Sequence, residues 1–243
     1  MEIFRNMAGE RKTVVVKDVE YAFRWCPPGS FLMGSPEKEE HRDDDETAHL
    51  VELTRGFWML ETEVTQAMFK SIMGCNPSTF RGETLPVNAV SMEMAEEFCV
   101  QLNHALNHPD CFAALPTEAQ WEYACRAGTT ARFGDEDEQM YNVGWSFENS
   151  ESQTHAVAEK KPNAWGLYDM HGNVWEWCQD WYDDDYPPEA LVDPVQSKVR
   201  TFRTLRGGSW NAPASQCRAA SRLFCAPECG HDHIGFRIVL IHR

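Results

Sequence analysis

Residues 164–185 read AWGLYDMHGNVWEWCQDWYDDD. Two later anchors extend the pattern, RGGSW at 206–210 and IGFRIV at 234–239. Five of the nine tryptophans fall between Trp165 and Trp210, among Gly, Asn and Asp. That mix suits neither a long helix nor a simple alternating sheet. Gly and Asn supply the backbone angles of tight turns, while Trp brings a large apolar area and one N–H that needs a partner. The region is expected to be a core built from loops, framing the 23 residues from 211 to 233. Function is expected in that framed segment.

With 243 residues the chain can bury a substantial core. Hydrophobic residues at 42% and charged residues at 25% are ordinary for a soluble globular protein. No apolar run approaches the roughly 20 residues needed to span a bilayer. No basic-then-apolar signal opens the chain, so export or surface display would require a signal removed beforehand. The formal net charge is −16, unevenly spread. Residues 198–243 carry eight Lys/Arg against two Asp/Glu, and residues 1–197 carry 14 against 36. The acidic total argues against nucleic acid as a partner. The arginines of the basic tail sit in Gly/aromatic motifs and are expected to pair internally with the excess carboxylates. Acidic runs at 36–47 (PEKEEHRDDDET) and 183–185 read as solvated loops, with a cation or protein contact as the sharper alternative. The nine cysteines include no CxxC, so neither a zinc ribbon nor a thioredoxin-like site is indicated. Cys99 and Cys125 fall within helical patterns and read as small hydrophobes.

Earlier in the chain the local signals are regular. Residues 14–25 alternate around Lys17-Asp18, predicting a hairpin that leads into Cys26-Pro27-Pro28-Gly29. SFLMGSP at 30–36 and HLVELTRGF at 49–57 read as strands. Thr65 offers an N-cap to a helix over 66–73 that stops at Gly74. Ser91 caps a helix over 92–106, whose apolar residues at 94, 95, 98, 99, 102, 105 and 106 form one face. Thr117 and Gln120 form a capping-box pattern for a helix over 117–127, stopped by Gly128. Beyond Gly128 the periodicity fades. The reading is one α+β domain over residues 1–243, with few helices, short strands and long ordered loops of the kind that commonly carry function.

Seven segments, in order along the chain, resemble the formylglycine-generating enzyme (sulfatase-modifying factor) family. They are PPGSFLMGSP (27–36), EVT (63–65), LPVNAVS (85–91), LPTEAQWEYACRAG (115–128), GLYDMHGNVWEW (166–177), RGGSW and GFR. The resemblance implies a C-type-lectin-like fold of the formylglycine-generating-enzyme subtype, loop-rich with few helices and short strands. In that family's enzymes, two cysteines soon after RGGS hold copper and activate oxygen to oxidise a substrate cysteine. Here the first of those positions is Ala212. An ungapped count puts the second at Cys217, but matching RAASR at 218–222 to the enzymes' arginine-flanked segment needs a gap that removes it. A Cu(I) site needs soft thiolate ligands, and one cysteine does not replace a pair. The resemblance also implies a structural calcium on Asp169, the carbonyls of Gly172 and Val174, and Glu176, where the enzymes commonly carry Asn at the first position. Hard oxygen ligands suit Ca2+. The alternative is that these groups cap turns. No other cofactor is expected.

A second branch of the same fold comprises the variable proteins of diversity-generating retroelements. In these, a segment between RGGSW-like and GFR-like anchors is diversified at adenine-rich template codons and displayed as a ligand-binding surface. The segment here, NAPASQCRAASRLFCAPECGHDH, interleaves two kinds of residue. Ala214, Cys217, Arg218, Ala219, Ala220, Arg222 and Pro227 look like scaffold. Ala212, Pro213, Ser215, Ser221, Leu223, Phe224, Cys225, Ala226, Glu228, Cys229, His231, Asp232 and His233 look free in type and are the expected ligand-binding set. Leu223, Phe224, His231 and His233 follow neither helical nor strand periodicity, and a competing reading places Leu223 and Phe224 in the core. The expected function is non-enzymatic binding of a protein or other macromolecule by a monomer. The alternatives are a copper-dependent formylglycine-generating or related oxidase, and a structural or regulatory member without a diversified site.

Other constellations are weaker. Cys225, Cys229, His231 and His233 place four soft-metal ligands within nine residues, but the spacing fits no common zinc module. Ser209 lies in RGGSW, which is not a GxSxG nucleophile elbow. Trp175 and Trp210 are expected in the core. His104, His108 and Asp110 end a helix and read as solvated surface.

Overall fold

The computed structural model describes residues 7–134, 139–184, 186 and 189–242. Asp185 of the second acidic run and Arg243 of the basic tail lie outside the described residues.

Strands β1 (Arg11–Val16) and β2 (Val19–Cys26) form the expected hairpin. Lys17 and Asp18 turn it, both at positive φ, as a two-residue hairpin loop requires. β3 (Gly29–Met33), β4 (His49–Leu53) and β5 (Phe57–Leu60) follow. The stretch 49–57, expected as one strand, is thus split in two. Thr54 gives its amide to Asp193 at 2.8 Å and its hydroxyl to the same carboxylate, so the chain leaves one sheet there before joining another. Helices α1 (Gln66–Met73), α2 (Met92–Leu106) and α3 (Glu118–Arg126) start where the caps predict, with β6 (Cys111–Ala114) between the last two. Thr65, Ser91 and Thr117 each accept the N3 amide, at 3.2, 3.3 and 3.0 Å, and Gln120 closes the capping box on Thr117. Gly74 ends α1 in the left-handed region, whereas Ala127 rather than Gly128 is the first left-handed residue after α3. Cys99 and Cys125 lie buried, as small hydrophobes do.

The remainder holds α4 (Met140–Val143), β7 (Gly144–Trp145), β8 (His171–Gly172), β9 (Trp175–Trp181), β10 (Leu191–Val192), β11 (Arg203–Arg206), β12 (Arg222–Cys225), β13 (Ile234–Gly235) and β14 (Val239–His242). One five-stranded antiparallel sheet runs β1-β2-β5-β14-β6, so the last strand sits among strands from the first half of the chain. A three-stranded sheet runs β10-β4-β3, a pair joins β7 to β8, and a four-stranded sheet runs β12-β11-β9-β13.

That four-stranded sheet corrects the sequence reading of the tryptophan-rich stretch. WEWCQDW is a seven-residue strand in the interior of the sheet. Trp175, Glu176, Trp177 and Cys178 in a row are buried, so both faces are covered and no apolar/polar alternation appears. The Trp177 indole donates to the Val90 carbonyl at 3.0 Å, supplying the partner a buried N–H needs. Between the strands of the frame the chain runs as loop, with Gly166, Asp169 and Asn173 at positive φ, a conformation that Gly172 of β8 shares.

Candidate functional site

The segment 211–233 is entered from β11 through Gly207 and Gly208, at φ 100° and 81°. A methyl group on Gly208 would lie 2.4 Å from the Cys217 sulfur, so the turn is closed by contact as well as by conformation. Main-chain ties from outside then hold the segment along its length. Phe147 donates to the Ala212 carbonyl at 2.9 Å, and Ala214 N–H reaches the Glu148 carboxylate at 3.2 Å. On the return, Met92 donates to Pro227, Ala89 to His231 and Trp175 to His233, at 2.9, 3.1 and 2.8 Å. Trp210 spans both ends: its amide donates to Asn173 at 2.8 Å and its indole to Asp232 at 3.2 Å. It is half-buried, with Phe80 edge-on at 5.4 Å, rather than a core residue like Trp175.

Buried arginines fasten the middle. Arg218 binds Glu46 through two bonds of 2.6 and 2.7 Å, Glu39 at 2.8 Å, and the His41 carbonyl at 2.6 Å. Burial alone would raise the Glu46 carboxyl above its ordinary value, but Arg218, together with Ser35 and the Asp43 backbone, holds it below. The acidic run 36–47 is therefore not simply a solvated loop: Glu46 is buried and Glu39 largely so, while Glu37, Glu40, Asp43 and Asp44 face solvent. Arg222 pairs with Glu118 at 2.7 Å, and Arg206 with Glu122 while also donating to the carbonyls of Ala219, Ala220 and Ser221. The tail arginines thus meet carboxylates from the first half of the chain, as the charge asymmetry predicts.

All five of Cys217, Arg218, Ala219, Ala220 and Arg222 are buried, and Ala214 and Pro227 are half-buried. Of the expected ligand-binding set, Pro213, Phe224, Glu228 and His231 are exposed, and Ser215, Cys225, Ala226, Cys229, Asp232 and His233 are partly so. Ala212 and Ser221 are buried at 4% and 1% exposure, which keeps their side chains from any surface ligand. The absence of strand periodicity around Leu223 is also corrected, since Arg222–Cys225 is β12, the edge strand beside β11. Arg222 and Leu223 both face mostly inward, so this short strand shows no clean alternation. Leu223 packs against the core and Phe224 stands 42% exposed, so the two neighbours divide between the competing readings. Phe224 lies 4.5 Å from Tyr182 and 4.9 Å from Phe202, ring to ring, extending an aromatic surface beyond the segment. Neither partner carries a sequence signal of its own: Tyr182 belongs to the tryptophan-rich frame, and Phe202 precedes β11 without a motif.

The copper pair expected of the oxidases has no counterpart here. Residue 212 is alanine, and Cys217 is wholly buried, its thiol pushed up to about 12 by burial. Ser209 is buried and hydrogen-bonded to Asn211 at 2.8 Å. His104, His108 and Asp110 are exposed.

For calcium, the donor set fits in part. Glu176 is already engaged by the Trp121 indole at 2.7 Å and by Arg237 at 2.7 to 3.1 Å. Asp169 accepts from Ala158 on one oxygen at 2.7 Å, while its Oδ1 has no partner. Glu63, in the EVT motif, is wholly buried with both oxygens unpartnered. Burial chiefly, then the charges of Asp169 and Glu176, holds the Glu63 carboxyl well above its ordinary value. Burial likewise pushes Asp169 up to about 6. Of the expected side-chain donors, Asp169 keeps one unpartnered oxygen that a hard cation would suit, whereas Glu176 is already engaged. Elsewhere, a cavity of about 280 Å3 is lined in part by Met33, His49, Asp180, Tyr186 and Arg222. Asp180 there accepts the amides of Glu118, at the start of α3, and of Gln196, both at 2.7 Å.

The sulfatase-modifying factor enzyme 1-like domain family matches residues 15–241. The chain belongs to that family. Among solved structures, Treponema denticola variable protein 1 is similar with a TM-score of 0.86 at 29% identity, over 94% of this chain and 98% of that one. The Pseudomonas aeruginosa protein PvdO is similar at 0.83 and 25%, over 97% and 99%. The formylglycine-generating enzyme of Streptomyces coelicolor is 37% identical over 142 residues, 51% of this chain and 45% of that protein. This chain thus spans less than half the length of that relative. Both parts of the resemblance are met, the family and the likeness to a variable protein, and the fold is the C-type-lectin-like one expected.

Proposed function

We infer that the chain is a non-enzymatic binding protein of the diversity-generating retroelement variable class. It would act as a monomer and hold a protein or other macromolecular ligand on the face presented by 211–233. The observation that carries this reading is how the segment is held. Its path is set by main-chain hydrogen bonds to Ala212, Pro227, His231, Asp232 and His233 and by the buried side chains of Arg218 and Arg222. A bond to a carbonyl does not depend on which side chain the residue carries. Residues at 213, 224, 228 and 231 can therefore change without moving the backbone, and a pre-ordered surface loses little entropy on binding. Phe224, with Tyr182 and Phe202, supplies the rigid aromatic area that dominates binding energy at protein interfaces. The acidic balance supports a ligand other than nucleic acid.

The test is a combined exchange of Pro213, Phe224, Glu228 and His231 for alanine. The melting temperature is expected to fall by no more than about 5 °C, while capture of the wild-type protein's partner is lost. A fall of about 15 °C or more would place these residues among the supports of the fold, and unchanged capture would move the binding face elsewhere.

A further inference from the structure

Cys225 closes β12, and Cys229 follows it around a turn in which Cys229 N–H donates to the Ala226 carbonyl at 2.9 Å. The two form a disulfide with Cα atoms 6.2 Å apart. A ring nitrogen of His231 comes within 4.8 Å of both sulfurs. The three residues stand on backbone clamped to the start of α2, through Met92 to Pro227 and Ala89 to His231. His231 is exposed, and its ring stacks on His233 at 5.3 Å with 3° between planes. Among the described residues this is the one group of three or more His, Cys, Asp or Glu whose ligand atoms converge so closely.

We propose that Cys225, Cys229 and His231 form a disulfide-gated metal site that takes Zn2+ when the thiols are reduced. Two thiolates and an imidazole make a soft set of two sulfurs and one nitrogen, matched to zinc, and the fourth tetrahedral place opens to solvent on the side of exposed His231. In zinc-thiolate geometry the sulfurs sit about 3.7 Å apart, a separation reached by rotating the two side chains on a fixed backbone. The chemistry balances. An external dithiol gives two electrons and two protons to the Cys225–Cys229 bond and becomes a disulfide itself, leaving two cysteine thiols. Zn2+ then displaces both protons to solvent and binds the thiolates. Oxidation withdraws both sulfur ligands at once. The site is independent of any macromolecular ligand, although it lies on the same face.

Cobalt, a spectroscopic stand-in for zinc, tests this on the full chain. Dithiol-reduced protein is expected to bind one Co2+ with tetrahedral d–d bands and a thiolate-to-cobalt charge-transfer band, and oxidised protein to bind none. Cys225→Ser abolishes the charge-transfer spectrum of the site. His231→Ala, at an exposed position where folding is not at stake, weakens affinity by more than about tenfold. Equal binding by oxidised and reduced protein, an unchanged spectrum in Cys225→Ser, unchanged affinity in His231→Ala, or no charge-transfer band in reduced protein would each overturn the proposal.

Discussion

Asp169 and Glu63 are buried carboxylates with free oxygens, and Asp169 has its proton affinity raised to about 6. For an acid whose folded value lies above its unfolded one, the native state binds the proton more tightly. Stability contributed by the protonated form is therefore lost as pH climbs from about 4 to about 6 and stays lost at neutrality. Asp169→Asn removes that cost and suits the residue's left-handed backbone, at φ 55°. In chelator at pH 7.5 it is expected to stabilise by on the order of 2 kcal/mol, with the gain disappearing at pH 4, as thermal melts at both values will show. Glu46 and Glu118 have the opposite sign: arginines hold both below their ordinary range, so their contribution is present at neutral pH and lost as pH falls through the folded value. Arg218→Ala leaves Glu46 and Glu39 without that partner and is expected to cost about 3–5 kcal/mol by denaturant titration. Phe224→Ala, from an exposed ring with two aromatic neighbours, costs about 1 kcal/mol.

At the scale of elements, the sequence spoke clearly where local chemistry decides the outcome. The caps Thr65, Ser91 and Thr117 and the Lys17-Asp18 turn act within a few residues of themselves, and all four elements formed as read. β9 and β12 were illegible for a different reason. β9 is covered on both faces and so has no alternation, and β12 is four residues long with a buried arginine beginning it. Which residues of 211–233 face out depends on contacts from residues 39–46, 89–92, 147–148 and 173–175, far away in sequence. The scaffold residues were readable from the resemblance; the burial of Ala212 and Ser221 and the aromatic contribution of Tyr182 and Phe202 were not. The glycine turn that opens the segment supplies a test at this scale. Gly208→Ala forces a methyl onto Cys217 in a left-handed residue, and a loss on the order of 3 kcal/mol is expected in equilibrium unfolding.

Across the whole molecule, a frame shared with oxidases carries a segment without their paired thiolates. Ala212 and the buried Cys217 leave that chemistry no ligands, so copper-treated protein offered a peptide cysteine, oxygen and a reductant is expected to form no aldehyde. The acidic first part of the chain and its basic tail are joined by Arg206–Glu122, Arg218–Glu46, Arg222–Glu118 and Arg237–Glu176, which lock the segment into the fold from within. What remains free is the outer row of side chains. Sequencing sibling copies of the 3′ end of the gene measures that freedom directly. Substitutions are predicted to concentrate at 213, 215, 224, 226, 228 and 231–233, with Cys217, Arg218, Ala219, Ala220 and Arg222 unchanged. Identical siblings, or changes spread evenly over the buried arginines and the exposed positions, would contradict the account.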